Sequence, residues 1–89
     1  MTGLYRIEWK SSAARELRKL PKDFVIKILH TVEQLSADPF PAGMKKLVGT
    51  KDMYRIRIGN YRVVYSIVKS ELVIEIIRIG HRKDVYKEI

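Results

Sequence analysis

A chain of 89 residues has room for one compact domain, here residues 1–89, and a single core. With 46% hydrophobic and 31% charged residues it belongs with globular rather than disordered proteins, and the absence of cysteine excludes a disulfide framework and any cysteine-ligated metal site. Eighteen Lys and Arg against ten Asp and Glu give a formal net charge of +8, which favours a polyanionic partner: nucleic acid, an acidic protein segment or an anionic membrane surface.

The opening MTGLYRIEWK acquires Arg6, Glu8 and Lys10 too early to leave an apolar signal core. No later run approaches the length needed to cross a bilayer and no membrane partner is expected, while the absence of cysteine fits a cytoplasmic location. Tyr5, Ile7 and Trp9 alternate with those charges at the period of a half-buried strand. Ser11 or Ser12 is placed to cap a short helix in which Ala13, Ala14, Leu17 and Leu20 recur, until Pro21 intervenes.

Pro21 suits the first turn of a second, longer helix whose apolar stripe is Phe24, Val25, Ile28, Leu29, Val32 and Leu35, ending before Asp38-Pro39. Lys22, Lys27 and Glu33 fall on its solvated faces. His30 sits at the margin of the stripe with no second ligand nearby and reads as structural. Residues 38–50, DPFPAGMKKLVGT, have the prolines and glycines of an irregular connector, with Lys45 and Lys46 adding charge.

Three β-rich segments follow, at about 53–58, 61–68 and 71–79, separated by Gly59-Asn60 and Lys69-Ser70. They form an antiparallel meander, and the fold class is α+β: an N-terminal strand and two helices packed on an antiparallel sheet. In the first of these strands Tyr54, Ile56 and Ile58 face the core, and Arg55 and Arg57 face the other way. A two-residue turn at Gly59-Asn60 pairs Ile58 with Tyr61 and therefore sets Arg57 opposite Arg62, so that all three arginines share a face.

Like charges opposite one another destabilise a ladder, which leaves the cluster without a stabilising rationale. Forked guanidinium donors on a rigid sheet are suited to phosphate. The competing reading is an ordinary solvated face neutralised by Glu75, which a two-residue turn at Lys69-Ser70 places opposite Val64. After Gly80 come His81, Arg82 and Tyr86; His81 continues the parity of Glu75, Ile77 and Ile79 and is expected to face the arginines.

The pattern KLVGTKDMYRIRIGNYRVVYSI followed by IIRIGHRKDVY resembles the RelE branch of the RelE/ParE toxin superfamily, as does the order of strand, two helices and meander. The resemblance implies a bacterial or archaeal toxin held inactive by a cognate RelB-like antitoxin. It implies cleavage of messenger RNA in the ribosomal A site, without metal or other cofactor, in contact with the ribosome and its 16S rRNA. By position, Arg55 and Arg57 match two basic strand residues of the RelE site, where the best-known member carries lysines. Arg62 matches the arginine of the next strand, and Arg82 and Tyr86 the C-terminal arginine and tyrosine.

The chemistry implied is attack of a 2′-hydroxyl on the neighbouring phosphate. Arg55, Arg57 and Arg62 would orient the phosphate and stabilise charge, and Arg82 would serve the scissile phosphate or leaving group. Tyr86 would stack on a base or accept a proton, with His81 as a substitute acid or base. The alternatives are a ParE-like DNA gyrase inhibitor and a catalytically inactive antitoxin-binding module.

Overall fold

The computed structural model describes residues 4–81. In chain order the elements are β1 (Arg6–Trp9), α1 (Ser11–Arg18), α2 (Lys22–Ala37), β2 (Lys45–Lys46), β3 (Met53–Ile58), β4 (Tyr61–Val68) and β5 (Val73–His81). The strands form one sheet in the order β1-β5-β4-β3-β2. The expected meander of β3, β4 and β5 is present, and the N-terminal strand joins its outer side by pairing with β5 in parallel, so the five-stranded sheet is mixed. A parallel pair needs a crossover connection, and the two helices lie in the long excursion between β1 and β5.

Both helices cover one face of the sheet. Ala13 and Leu17 of α1 and Ile28, Val32 and Leu35 of α2 pack on Ile56, Val63, Tyr65, Ile67, Ile74, Ile76 and Ile79. Each fully buried isoleucine here contributes roughly 1.5–3 kcal/mol of transfer free energy. The i, i+4, i+7 spacing of Ile28, Val32 and Leu35 is why α2 presents one stripe to the sheet. Its end is stapled to the start of β1, where the Ser36 hydroxyl donates to the Tyr5 carbonyl at 2.6 Å and Tyr5 N–H donates to the Ser36 carbonyl at 3.1 Å.

The start of α1 differs from the sequence expectation. Lys10 is the N-cap residue, with no side-chain cap bond, and Ser11 and Ser12 already lie inside the helix. Strand pairing decides this boundary, because Lys10 N–H is drawn to the Ile76 carbonyl at 3.0 Å while the Lys10 carbonyl accepts the first helical bond from Ala14. Pro21 is the N-cap of α2, and its carbonyl accepts from Phe24 and Val25. In the connector expected to be irregular, Lys45–Lys46 pairs with β3 as a two-residue edge strand.

The β4–β5 connection is longer than the two residues expected. Lys69–Leu72 make a four-residue turn held by Glu71 N–H to Val68 O at 3.2 Å and Leu72 N–H to Lys69 O at 3.3 Å. Leu72 takes the left-handed backbone at φ 55°, a conformation with no residue-type signal in a leucine. Glu75 consequently pairs with Ser66 rather than Val64.

Candidate functional site

The Gly59-Asn60 hairpin sets the register of the site. Gly59 has φ +60°, and a Cβ there would stand 2.8 Å from Cε1 of Phe24, so both backbone and space call for glycine. The turn has two residues, and the pairs Ile58 with Tyr61, Arg57 with Arg62 and Arg55 with Val64 follow as expected. Ile56 and Val63 are buried on the helix side, and alternation therefore directs Arg55, Arg57 and Arg62 to the other face.

The three guanidinium groups differ in environment. Arg57 is exposed and Arg55 half-buried, whereas Arg62 is 7% exposed and is the buried charged residue among those described. Its Nη1 donates to the Tyr61 carbonyl at 3.2 Å and lies 3.5 Å from the Gly59 carbonyl. Those backbone acceptors replace part of the water lost on burial and fix the side chain against the hairpin. A cation held in place before a ligand arrives needs no reorganisation when charge develops beside it.

A second like-charge pair adjoins the first, because Lys45 of β2 is in register with Arg55. β2 ends there, so β3 continues past it with an open edge. Along that edge a cleft of about 610 Å³ is lined by Thr31 and Gln34 of α2, the loop Pro41 to Gly43, Lys45, and Arg55 to Arg57. Sequence reading had not singled out Thr31 or Gln34; the available signal was two polar residues three apart beside the buried Val32 and Leu35. The wall of the cleft is anchored from below by Tyr65, whose buried hydroxyl donates to the Pro39 carbonyl at 3.0 Å. Burial pushes the Tyr65 phenol well above its ordinary range, with smaller contributions from Tyr54 and Asp38.

The far side of the face is reshaped by a β-bulge. Val64 pairs with Arg78 and Tyr65 with Ile76, leaving Ile77 as the extra residue. Beyond the bulge the parity of β5 is reversed. Ile79 is buried in the core opposite Val63, and Arg78 falls in register with Lys45, Arg55 and Val64 across four strands. Arg78 was not foreseen as part of the basic face; the adjacent isoleucines at 76 and 77, which break the alternation of β5, are the signal that locates it.

His81 is displaced by the same bulge. It pairs with Tyr61, and their rings meet edge to face at 6.0 Å, so the expectation that His81 faces the arginines is corrected: it belongs to the Phe24–Tyr61 side. Glu75, expected to neutralise the arginines, lies beside Glu8 and Ser66, in a different row. Arg82 and Tyr86 lie outside the described residues. Among the described residues no group of three His, Asp or Glu side chains is arranged to hold a metal ion. No helix of the described chain is long and apolar enough to cross a membrane.

What the face can do chemically is bind a phosphodiester through several cations, one of them immobile, next to a cleft with neutral hydrogen-bonding groups. Residues 7–86 match the family described as the ParE toxin of type II toxin–antitoxin systems, parDE. A protein of Methanocaldococcus jannaschii named as the toxin RelE1 is 30% identical over 93% of this chain and 96% of its own length. The archaeal RelE–RelB complex of Pyrococcus horikoshii OT3 contains a chain with TM-score 0.81 and 32% identity, matched over 92% of this chain and 99% of that one. A chain of the intact Escherichia coli RelBE toxin–antitoxin complex matches with TM-score 0.76 and 26% identity, over 86% of this chain and 95% of that one.

Proposed function

Since the chain belongs to the RelE/ParE toxin superfamily and is a RelE-like toxin of a toxin–antitoxin system, we propose that it is an endoribonuclease that cleaves messenger RNA in the ribosomal A site and so stops translation. The observation that carries this reading is the Arg57–Arg62 pair, set opposite one another with Arg55 and Lys45 on the same face. That arrangement concentrates guanidinium donors on one face, where they would hold a phosphodiester by charge-assisted hydrogen bonds.

In the proposed reaction the 2′-oxygen attacks the adjacent phosphorus, the bond from phosphorus to the 5′-oxygen breaks, and the products are a 2′,3′-cyclic phosphate and a free 5′-hydroxyl. Arg62, fixed by the hairpin carbonyls, stabilises the equatorial phosphoryl oxygens; Arg55 and the exposed Arg57 orient the strand. Arginine stays protonated in proteins, so proton acceptance falls to another group. We assign it to Tyr86, and assign Arg82 to the scissile phosphate or the leaving oxygen. The basic Lys45-Lys46 edge docks on ribosomal RNA.

The partner proposed is a RelB-like antitoxin, as in the complexes of the structural relatives, carrying an acidic segment to complement the net charge of +8. The test is to add the protein to a translating system and map mRNA 5′ ends by primer extension, with free mRNA and an Arg62→Ala/Arg82→Ala variant alongside. Cuts confined to ribosome-bound codons and lost in the variant are expected. The ParE description of the matched family supports a second reading, gyrase inhibition. Loss of DNA supercoiling without mRNA cuts would transfer the assignment to it.

A further inference from the structure

The open edge of β5 is closed by a side chain from the other end of the molecule. β1 pairs with β5 only as far as Ile76, and the last contact on that side is Lys10 N–H to the Ile76 carbonyl. Beyond it, Ile79 lies opposite Val63 of β4, and its N–H goes to a side chain rather than to a strand. Glu16 of α1, 63 residues distant in sequence, accepts that N–H at 2.9 Å through Oε1, and its Oε2 stands 3.9 Å from Nε of Arg78.

Glu16 is the wrong residue for its own helix. It sits in the last turn of α1 between the cations Arg15 and Arg18, where the helix dipole favours positive charge and disfavours a carboxylate. A local rule broken in a well-packed element marks a position chosen for something outside that element. Here the something is the stretch of β5 at which the strand regains its ladder after the bulge and delivers the chain to His81 and, next in sequence, Arg82.

We propose that Glu16 is a positioning residue for RNA cleavage: by binding Ile79 N–H and standing beside Arg78, it fixes the end of β5 that carries Arg78 to the basic face and that Arg82 follows in sequence. The inference rests on the endoribonuclease reading above. Glu16 touches neither substrate nor reacting atoms; it acts through the backbone it holds. Small misplacements of a group acting on a transition state are costly, a shift on the order of 1 Å lowering rates by about a hundredfold.

The experiment compares the wild-type protein with Glu16→Ala, Glu16→Gln and Ile28→Val, the last a control that loosens the shared core without removing the Glu16 acceptor of Ile79 N–H. Glu16→Ala is expected to speed amide hydrogen exchange at Ile79 and Gly80 by at least about tenfold, with β3–β4 amides unchanged, and to lower kcat for ribosome-bound mRNA by at least about tenfold at little-changed KM. Glu16→Gln keeps a carbonyl acceptor for Ile79 N–H and should recover most of both losses. Ile28→Val should lower the melting temperature and leave kcat near wild type. Unchanged exchange at Ile79, equal losses in the Ala and Gln variants, or an equal fall in kcat for Ile28→Val would each overturn the assignment. If the wild-type protein cuts no mRNA, the endoribonuclease reading fails and with it the catalytic part of the proposal, while exchange at Ile79 still decides whether the clamp exists.

Discussion

Arg57→Gln should make the protein more stable and less active at once. Arg57 faces Arg62 directly across the β3–β4 ladder, and opposed like charges cost on the order of the 0.2–1 kcal/mol that a favourable pair contributes. Exposure of Arg57 screens its side of the pair, which places the gain in the lower half of that range, about 0.2–0.5 kcal/mol. For a domain of this size a kcal/mol corresponds to roughly 4–8 °C, so the melting temperature should rise by about 1–4 °C. Thermal melts followed by circular dichroism at about 10 mM and 1 M salt supply the check. The rise should be largest at low salt, where the screening length is about 30 Å, and should nearly vanish at high salt, where it is about 3 Å. In parallel, primer extension should show weaker cleavage. A melting temperature that falls, or a gain indifferent to salt, would mean that the two charges do not repel and that the cluster stores no unfavourable energy for a ligand to relieve.

Gly59→Ala should destabilise by about 1–2 kcal/mol for the left-handed backbone, with an added loss because the new methyl must displace the Phe24 ring from 2.8 Å. Urea unfolding should show a lower midpoint at unchanged slope; an unchanged midpoint would refute the turn assignment. Tyr65→Phe should cost about 1 kcal/mol at neutral pH through the lost bond to the Pro39 carbonyl. The folded phenol is raised above its ordinary 10.0, so the stability tied to it is complete below pH 10 and is lost as pH climbs through 10 toward the folded value. Wild-type stability should therefore fall faster than that of the Phe variant above pH 10, by up to about 1.4 kcal/mol per pH unit. Parallel curves for the two proteins would show that the phenol titrates freely in the fold.

The β3–β4 hairpin was legible because a single turn dipeptide, Gly59-Asn60, fixes both register and face, and the arginine cluster came with it. The long helix was legible because its stripe needs no partner to be recognised. What escaped depends on contacts distant in sequence. Ser11 is a better cap than Lys10 in isolation, yet the pull of Ile76 on Lys10 moves the helix start. The turn through Leu72 has no glycine to announce it, and its two additional residues shift Glu75 away from the arginines. The bulge at Ile77 reverses everything after it, bringing Arg78 to the basic face and sending His81 to the other.

The pairing of β1 with β5 also governs when the molecule can finish folding. The first strand cannot find its neighbour until nearly the whole described chain is present, since Arg6 is matched to Val73 and Trp9 to Ile76. The β3–β4 hairpin, closed by a two-residue turn, is complete far earlier, on the microsecond scale of local structure. Zipping the sheet's outer edge closes the longest loop among the described strand pairs, the kind of non-local contact that slows folding. Glu16 reaches Ile79 only after it. A newly made chain thus brings Arg57 opposite Arg62 early and the Glu16–Ile79 contact late, so the interval before β1 docks is one in which the toxin already carries its arginine face but not its closed sheet edge.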